Sequence, residues 1–132
     1  MQKSAKSLIR AFTLVEIMIV VAIIAMLASI FMHNVIRARK RAQACKVLDD
    51  LRTLDGALDL WALEKSKSTG DVAFFSDIQP YLKTQNKLNL TGYDVFGQPY
   101  GPFSVDTPPK VADFTFAALS DVAPAEFWSP FY

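Results

Sequence analysis

The sequence predicts an α+β fold: one long N-terminal α-helix, with its C-terminal half packed against a small antiparallel β-sheet. Three observations predict it. Phe12–Met32 is twenty-one residues long with Glu16 as its only charge. No proline precedes Pro80, and Gly56 is the only glycine before Gly70, so nothing breaks a helix from about Phe12 to about Lys65. From Ser66 onward the composition changes, with all seven prolines and four of the five glycines among short aromatic and β-branched runs.

The first half of the helix suits a membrane. A hydrocarbon core of about 30 Å takes about 20 apolar helical residues, and Phe12–Met32 meets that length. It exceeds an ordinary secretory apolar region, and no small-residue cleavage site follows it. Lys3, Lys6 and Arg10 precede the segment, which favours a cytoplasmic N-terminus; Arg37, Arg39, Lys40 and Arg41 follow it and argue for the reverse. Charge counting alone leaves the orientation open. Glu16 has two readings: an interfacial carboxylate that reaches back to water, or one held for a cationic partner such as a free amine at Phe12.

The second half is amphipathic. Leu48, Leu51, Leu54, Leu58 and Trp61 recur at three- and four-residue steps, separated by Asp49, Asp50, Arg52, Asp55 and Asp59. That stripe must cover the C-terminal head, whose roughly 65 residues make too small a core alone. In the head, Ser76–Leu82 reads as a short helix capped by Ser76, and Tyr93–Gly101 as a turn-rich loop. Pro102–Asp106 and Val111–Ala117 read as strands (Phe103/Val105 and Phe114/Phe116 alternate), giving a sheet of two to four strands. The aromatic ending Phe127–Tyr132 is expected to close the core. The chain thus divides into a basic leader (1–11), an apolar helix (12–34), its amphipathic continuation (35–66) and the head (67–132).

Charge is sorted along the chain: residues 37–67 carry eight basic residues against five acids, and 68–132 carry three against seven. With one cysteine and one histidine, neither an internal disulfide nor a zinc pattern can form. No phosphate loop or nucleophile elbow is present, so the sequence points to no enzyme and no small-molecule substrate. Arg37–Arg41 reads as a solvated stretch of helix paired with acids of neighbouring subunits. Anionic lipid and nucleic acid are the other candidates, the latter disfavoured because no aromatics are interleaved. Cys45 reads as a small packed residue, and His33 receives no role.

Ala11-Phe12-Thr13-Leu14-Val15-Glu16-Ile17, followed by an unbroken apolar run, resembles the class III signal of type IV pilins and type II secretion pseudopilins. The resemblance implies a pilin-like fold and cleavage of the leader between Ala11 and Phe12 by a prepilin peptidase, which would also N-methylate Phe12. It implies that Glu16 attracts the N-terminus of the next subunit during assembly. The family usually has Gly where Ala11 stands, and many members have Pro where His33 stands. Independently, Asp94-Val95-Phe96-Gly97-Gln98-Pro99-Tyr100 is similar to the D-P-W-G-x-P-Y loop of major pseudopilins, with Val95 for Pro and Phe96 for Trp.

What the resemblance implies is a structural subunit of a self-polymerising filament, pointing first to a type II secretion pseudopilin. The alternative is a type IV pilus subunit serving adhesion, motility or DNA uptake. The implied partners are further copies of the chain, the peptidase, and an inner-membrane assembly platform with its ATPase. The implied location is a bacterial inner membrane, crossed once with the head periplasmic, and then a periplasmic or surface filament. No cofactor is required. A structural Ca2+ near the C-terminus is implied by the group, with Asp113 and Asp121 (and Asp106) as candidate ligands; the other reading is ordinary exposed aspartates.

Overall fold

The structure, a computed structural model, describes residues 11–84 and 87–132. Lys3, Lys6 and Arg10 of the leader lie outside the described residues. The elements run α1 (Leu14–Glu64), β1 (Val72–Ala73), α2 (Phe75–Ile78), a 3-10 turn (Gln79–Tyr81), α3 (Lys87–Thr91), β2 (Phe103–Ser104), α4 (Asp113–Leu119) and α5 (Ala125–Trp128). By its contacts the chain falls into two units, one ending at Ile36 and one comprising Arg37–Tyr132.

In the first unit α1 begins at Leu14 and is long and apolar enough to cross a membrane. Every described residue from Ala11 to Asn34 is exposed, so this part of the helix has no protein cover of its own. Ile23, Ile24, Leu27, Ile30 and Phe31 are each more than half exposed. In water that surface would be strongly unfavourable, at about 25 cal/mol per Å² of apolar area.

The second unit is built on the rest of α1. Leu48, Leu51, Leu54, Leu58 and Trp61 are all buried, joined by Ala44, Val47, Ala57 and Ala62 along the same stripe. Fully burying a side chain of leucine size is worth about 1.5–3 kcal/mol, so this stripe supplies much of the favourable term for a head with little regular structure. Against it lie Ile78, Leu82, Leu88, Tyr100, Phe103, Val105, Leu119, Trp128 and Phe131. The sheet has two strands, β1 and β2, antiparallel with Val72 opposite Ser104 and Ala73 opposite Phe103. Phe103 and Val105 are both buried while Ser104 between them is less so, which is the alternation read from the sequence.

Three expectations are corrected. Val111–Ala117 is not a strand: α4 occupies Asp113–Leu119, and Val111, Thr115 and Leu119 face the core at four-residue steps while Phe114 is exposed. Ala117, Ala118 and Leu119 favour helix, and Asp113 in the first turn complements its dipole. Ser76 does not cap α2; the helix starts one residue earlier, and the Asp77 carboxylate accepts from the Phe74 amide at 2.9 Å. Cys45 is exposed rather than packed. Among the residues that separate the stripe, Asp50 is buried, and the Lys46 ammonium lies 2.6 Å from its carboxylate. The aromatic tail closes the core through Trp128, whose indole N–H donates to the Ala123 carbonyl at 3.1 Å, and through Phe131, whose carbonyl accepts from the Val111 amide at 2.8 Å. Tyr132 stays outside.

Candidate assembly terminus and head loop

The N-terminal end of α1 is organised by two residues, Thr13 and Glu16. The Thr13 carbonyl accepts from the Ile17 amide at 3.4 Å, which makes Thr13 the N-cap. Its hydroxyl accepts from the Glu16 amide at 3.2 Å, and one carboxylate oxygen of Glu16, Oε2, accepts from the Thr13 amide at 2.8 Å and the Thr13 hydroxyl at 3.1 Å. This is a capping box: each side chain satisfies an amide that the first helical turn leaves without a partner. Glu16 thus has a local task that the two sequence readings omitted. The pattern Thr-x-x-Glu ahead of an apolar run was the signal that could have found it.

Ala11, Phe12, Thr13 and Glu16 line one shallow hollow of about 450 Å³. The predicted cut lies at its edge, on exposed, non-helical backbone before the first turn. Phe12 is 81% exposed. Of the Glu16 carboxylate only Oε2 is engaged among the described residues, which leaves Oε1 able to accept from a cation.

In the head, the 94–100 loop is held by Asp94. Its Oδ1 accepts from the amides of Phe96 and Gln98, both at 2.8 Å, and its Oδ2 accepts from the Thr115 hydroxyl on α4. The Asp94 amide donates to the Gln98 carbonyl at 2.9 Å, and Gly97 turns the chain at φ +78°, a conformation that favours glycine. Phe96 packs edge-on to Phe114 with ring centres 6.2 Å apart. The sequence marked Asp94 as a turn residue; Thr115, its buried partner, went unnoticed because the α4 segment read as a strand. Tyr100 closes the loop against the core. Burial, and then the charges of Asp50 and Asp94, hold its hydroxyl well above the usual tyrosine range.

The calcium candidates do not come together as a carboxylate cage. Asp121 lies 2.9 Å from the Lys40 ammonium on α1, and that hydrogen bond holds its carboxyl below the usual range, with Arg37 adding to the effect. Asp106 accepts from the Thr69 hydroxyl, and Asp113 sits in the first turn of α4. Among the described residues no three His, Cys, Asp or Glu side chains are grouped to hold a metal ion. Asp121, the one of the three paired with an ammonium, would have to release Lys40 before it could ligate a hard cation. His33 is exposed on α1.

Residues 6–32 match the family described as the prokaryotic N-terminal methylation motif. The chain is 43% identical over 58 residues to the type II secretion system core protein G of Klebsiella pneumoniae, covering 44% of this chain and 41% of the relative. It is 40% identical over 55 residues to the protein of the same name in Escherichia coli (42% and 38% covered). It is 34% identical over 67 residues to that of Aeromonas hydrophila (51% and 45% covered). Over its N-terminal part the chain is similar to proteins with the prepilin methylation motif and to these secretion core proteins. It spans less than half the length of the curated relatives it matches. No solved structure matches it. The long apolar helix and the two-stranded antiparallel sheet agree with the expected pilin-like α+β fold.

Proposed function

We propose that this chain is a structural, non-catalytic subunit of a type II secretion pseudopilus: a membrane-anchored precursor that is cut between Ala11 and Phe12, N-methylated at Phe12 and polymerised through its apolar helix. The observation that carries the proposal is the helix surface up to Ile36, apolar and uncovered, behind a Thr13–Glu16 terminus. Such a surface needs a nonaqueous environment at each stage. A bilayer supplies it before assembly, and the equivalent helices of neighbouring copies supply it afterwards. Glu16 keeps its own helix capped through Oε2 and offers Oε1 to the Phe12 amine of another copy, which lowers the cost of holding a carboxylate away from water. The peptidase, the inner-membrane assembly platform and its ATPase belong to this reading as partners, with the head on the periplasmic side. The relatives, which are type II secretion core proteins, favour the pseudopilus over a type IV pilus.

The test separates cap from charge. Protein from its own membranes should have an intact mass starting at N-methyl-Phe12; a chain still starting at Met1 beside an active peptidase would refute processing. Glu16→Gln retains an acceptor for Thr13 but loses the charge, and should be processed normally yet assemble at least tenfold less. Thr13→Ala removes the cap, at a cost of about 1 kcal/mol, and should still assemble. Wild-type filament yield from Glu16→Gln would overturn the charge pairing.

A further inference from the structure

The basic run that directly follows the uncovered helix surface is not used by the proposed function. Residues 17–36 carry no formal charge, and Ile36 is still 51% exposed; Arg37 is the next residue. Arg37, Arg39 and Arg41 are exposed and form no ion pair among the described residues. Lys40 pairs with the Asp121 carboxylate at 2.9 Å, and Arg37 adds to the positive field on that carboxylate without pairing with it. Between Glu16 and Asp49 the chain has no acidic residue at all. Four cations therefore meet one carboxylate where the apolar part of α1 ends.

We propose that Arg37, Arg39 and Arg41 form a collar that binds the phosphates of anionic phospholipid headgroups and sets the depth of the subunit in the bilayer. The proposal rests on the membrane-spanning reading of α1. Arrangement on the helix favours lipid over a protein partner. At about 100° per residue, Arg37 and Arg41 share one face, whereas Arg39 points away on the opposite side. A protein partner would engage one face. Before assembly a headgroup layer surrounds the helix and meets all three guanidinium groups at once, which a single protein partner does not. Guanidinium also suits this ligand, since its planar fork pairs with two oxygens of one phosphate. Each basic residue beside an anionic surface strengthens the interaction roughly fivefold, so three give on the order of a hundredfold.

Cys45 provides the probe, being the sole cysteine, exposed, and four residues beyond Arg41. The full chain is labelled there with a fluorophore and reconstituted into phosphatidylcholine vesicles with and without phosphatidylglycerol. Quenching by a headgroup-borne spin label then reads its depth. With phosphatidylglycerol, quenching should rise and high salt should reverse it. R37Q/R39Q/R41Q should abolish the rise without changing quenching in neutral vesicles, and R37K/R39K/R41K should keep most of it. Equal wild-type quenching in both vesicles would overturn the collar. Quenching that follows protein-to-lipid ratio, and not lipid charge, would also overturn it and assign the arginines to a second copy. Release of the chain from both vesicles by alkaline washing would refute the membrane reading itself, a separate result from failure of the collar.

Discussion

The Tyr100 ring closes the core between α1 and the 94–100 loop, and its hydroxyl is buried with no partner in hydrogen-bond geometry among the described residues. The Asp50 carboxylate stands near enough for its charge to act on that hydroxyl, yet the Lys46 ammonium is what binds it, at 2.6 Å. In this pair Lys precedes Asp by four residues, the less favourable order along a helix. The pairing is better explained as the partner a buried carboxylate requires than as helix stabilisation. The Tyr100 oxygen then costs desolvation and returns little. Tyr100→Phe should therefore leave stability unchanged or raise it by up to about 1 kcal/mol, read from denaturant unfolding followed by tryptophan fluorescence. A loss of more than about 1 kcal/mol would mean that the hydroxyl does donate to Asp50. Lys46→Met, in contrast, should be clearly destabilising, because it leaves Asp50 buried and unpaired.

Among the elements, the 94–100 loop and α4 act as one piece through a single carboxylate. Asp94 accepts two amides from its own loop and one hydroxyl from Thr115, so α4 is tied to a loop twenty-one residues earlier. Thr115→Val fills the same space but removes the donor. It should cost about 1–3 kcal/mol, the price of leaving a buried acceptor without its bond. Asp94→Ala should cost more, since it frees two amides as well. The double mutant should be less unstable than the sum of the two, and additivity would disprove the coupling. This is also where the sequence was hardest to read. An unbroken apolar run, the leucine stripe that follows it and the absence of proline before Pro80 made α1 legible almost to the residue, Leu14–Glu64 against an expected Phe12–Lys65. Seven-residue α4 offered Phe114 and Phe116 as a strand-like alternation, and tertiary packing selected the Val111, Thr115, Leu119 step instead. At the N-terminus the apolar run and Glu16 were visible, while the cap was missed because the acid was weighed only for its charge. Two-residue strands are set by pairing across the head and have little local signature, although Phe103/Val105 gave one of them away.

For the molecule as a whole, the two contact units rely on different solvents. The part of α1 up to Ile36 is helical and uncovered, so its stability depends on the bilayer or detergent around it. The Arg37–Tyr132 unit has its own core, and both tryptophans of the chain, Trp61 and Trp128, are buried in it. Tryptophan fluorescence therefore reports the head alone, whereas far-ultraviolet circular dichroism reports helix in both units. On heating the full chain in detergent micelles, the fluorescence should change in one cooperative step. Helical signal from the apolar segment should persist above that step, because its backbone bonds are satisfied within the helix and micelle contact replaces water. Leu51→Ala, which removes a fully buried side chain from the stripe, should lower the fluorescence midpoint in keeping with a loss of about 2–5 kcal/mol and leave the residual helicity as it was. If the substitution lowered both signals together, or if all helicity vanished at the fluorescence midpoint, the units would unfold as one, and the apolar segment would owe its helix to the head rather than to its surroundings.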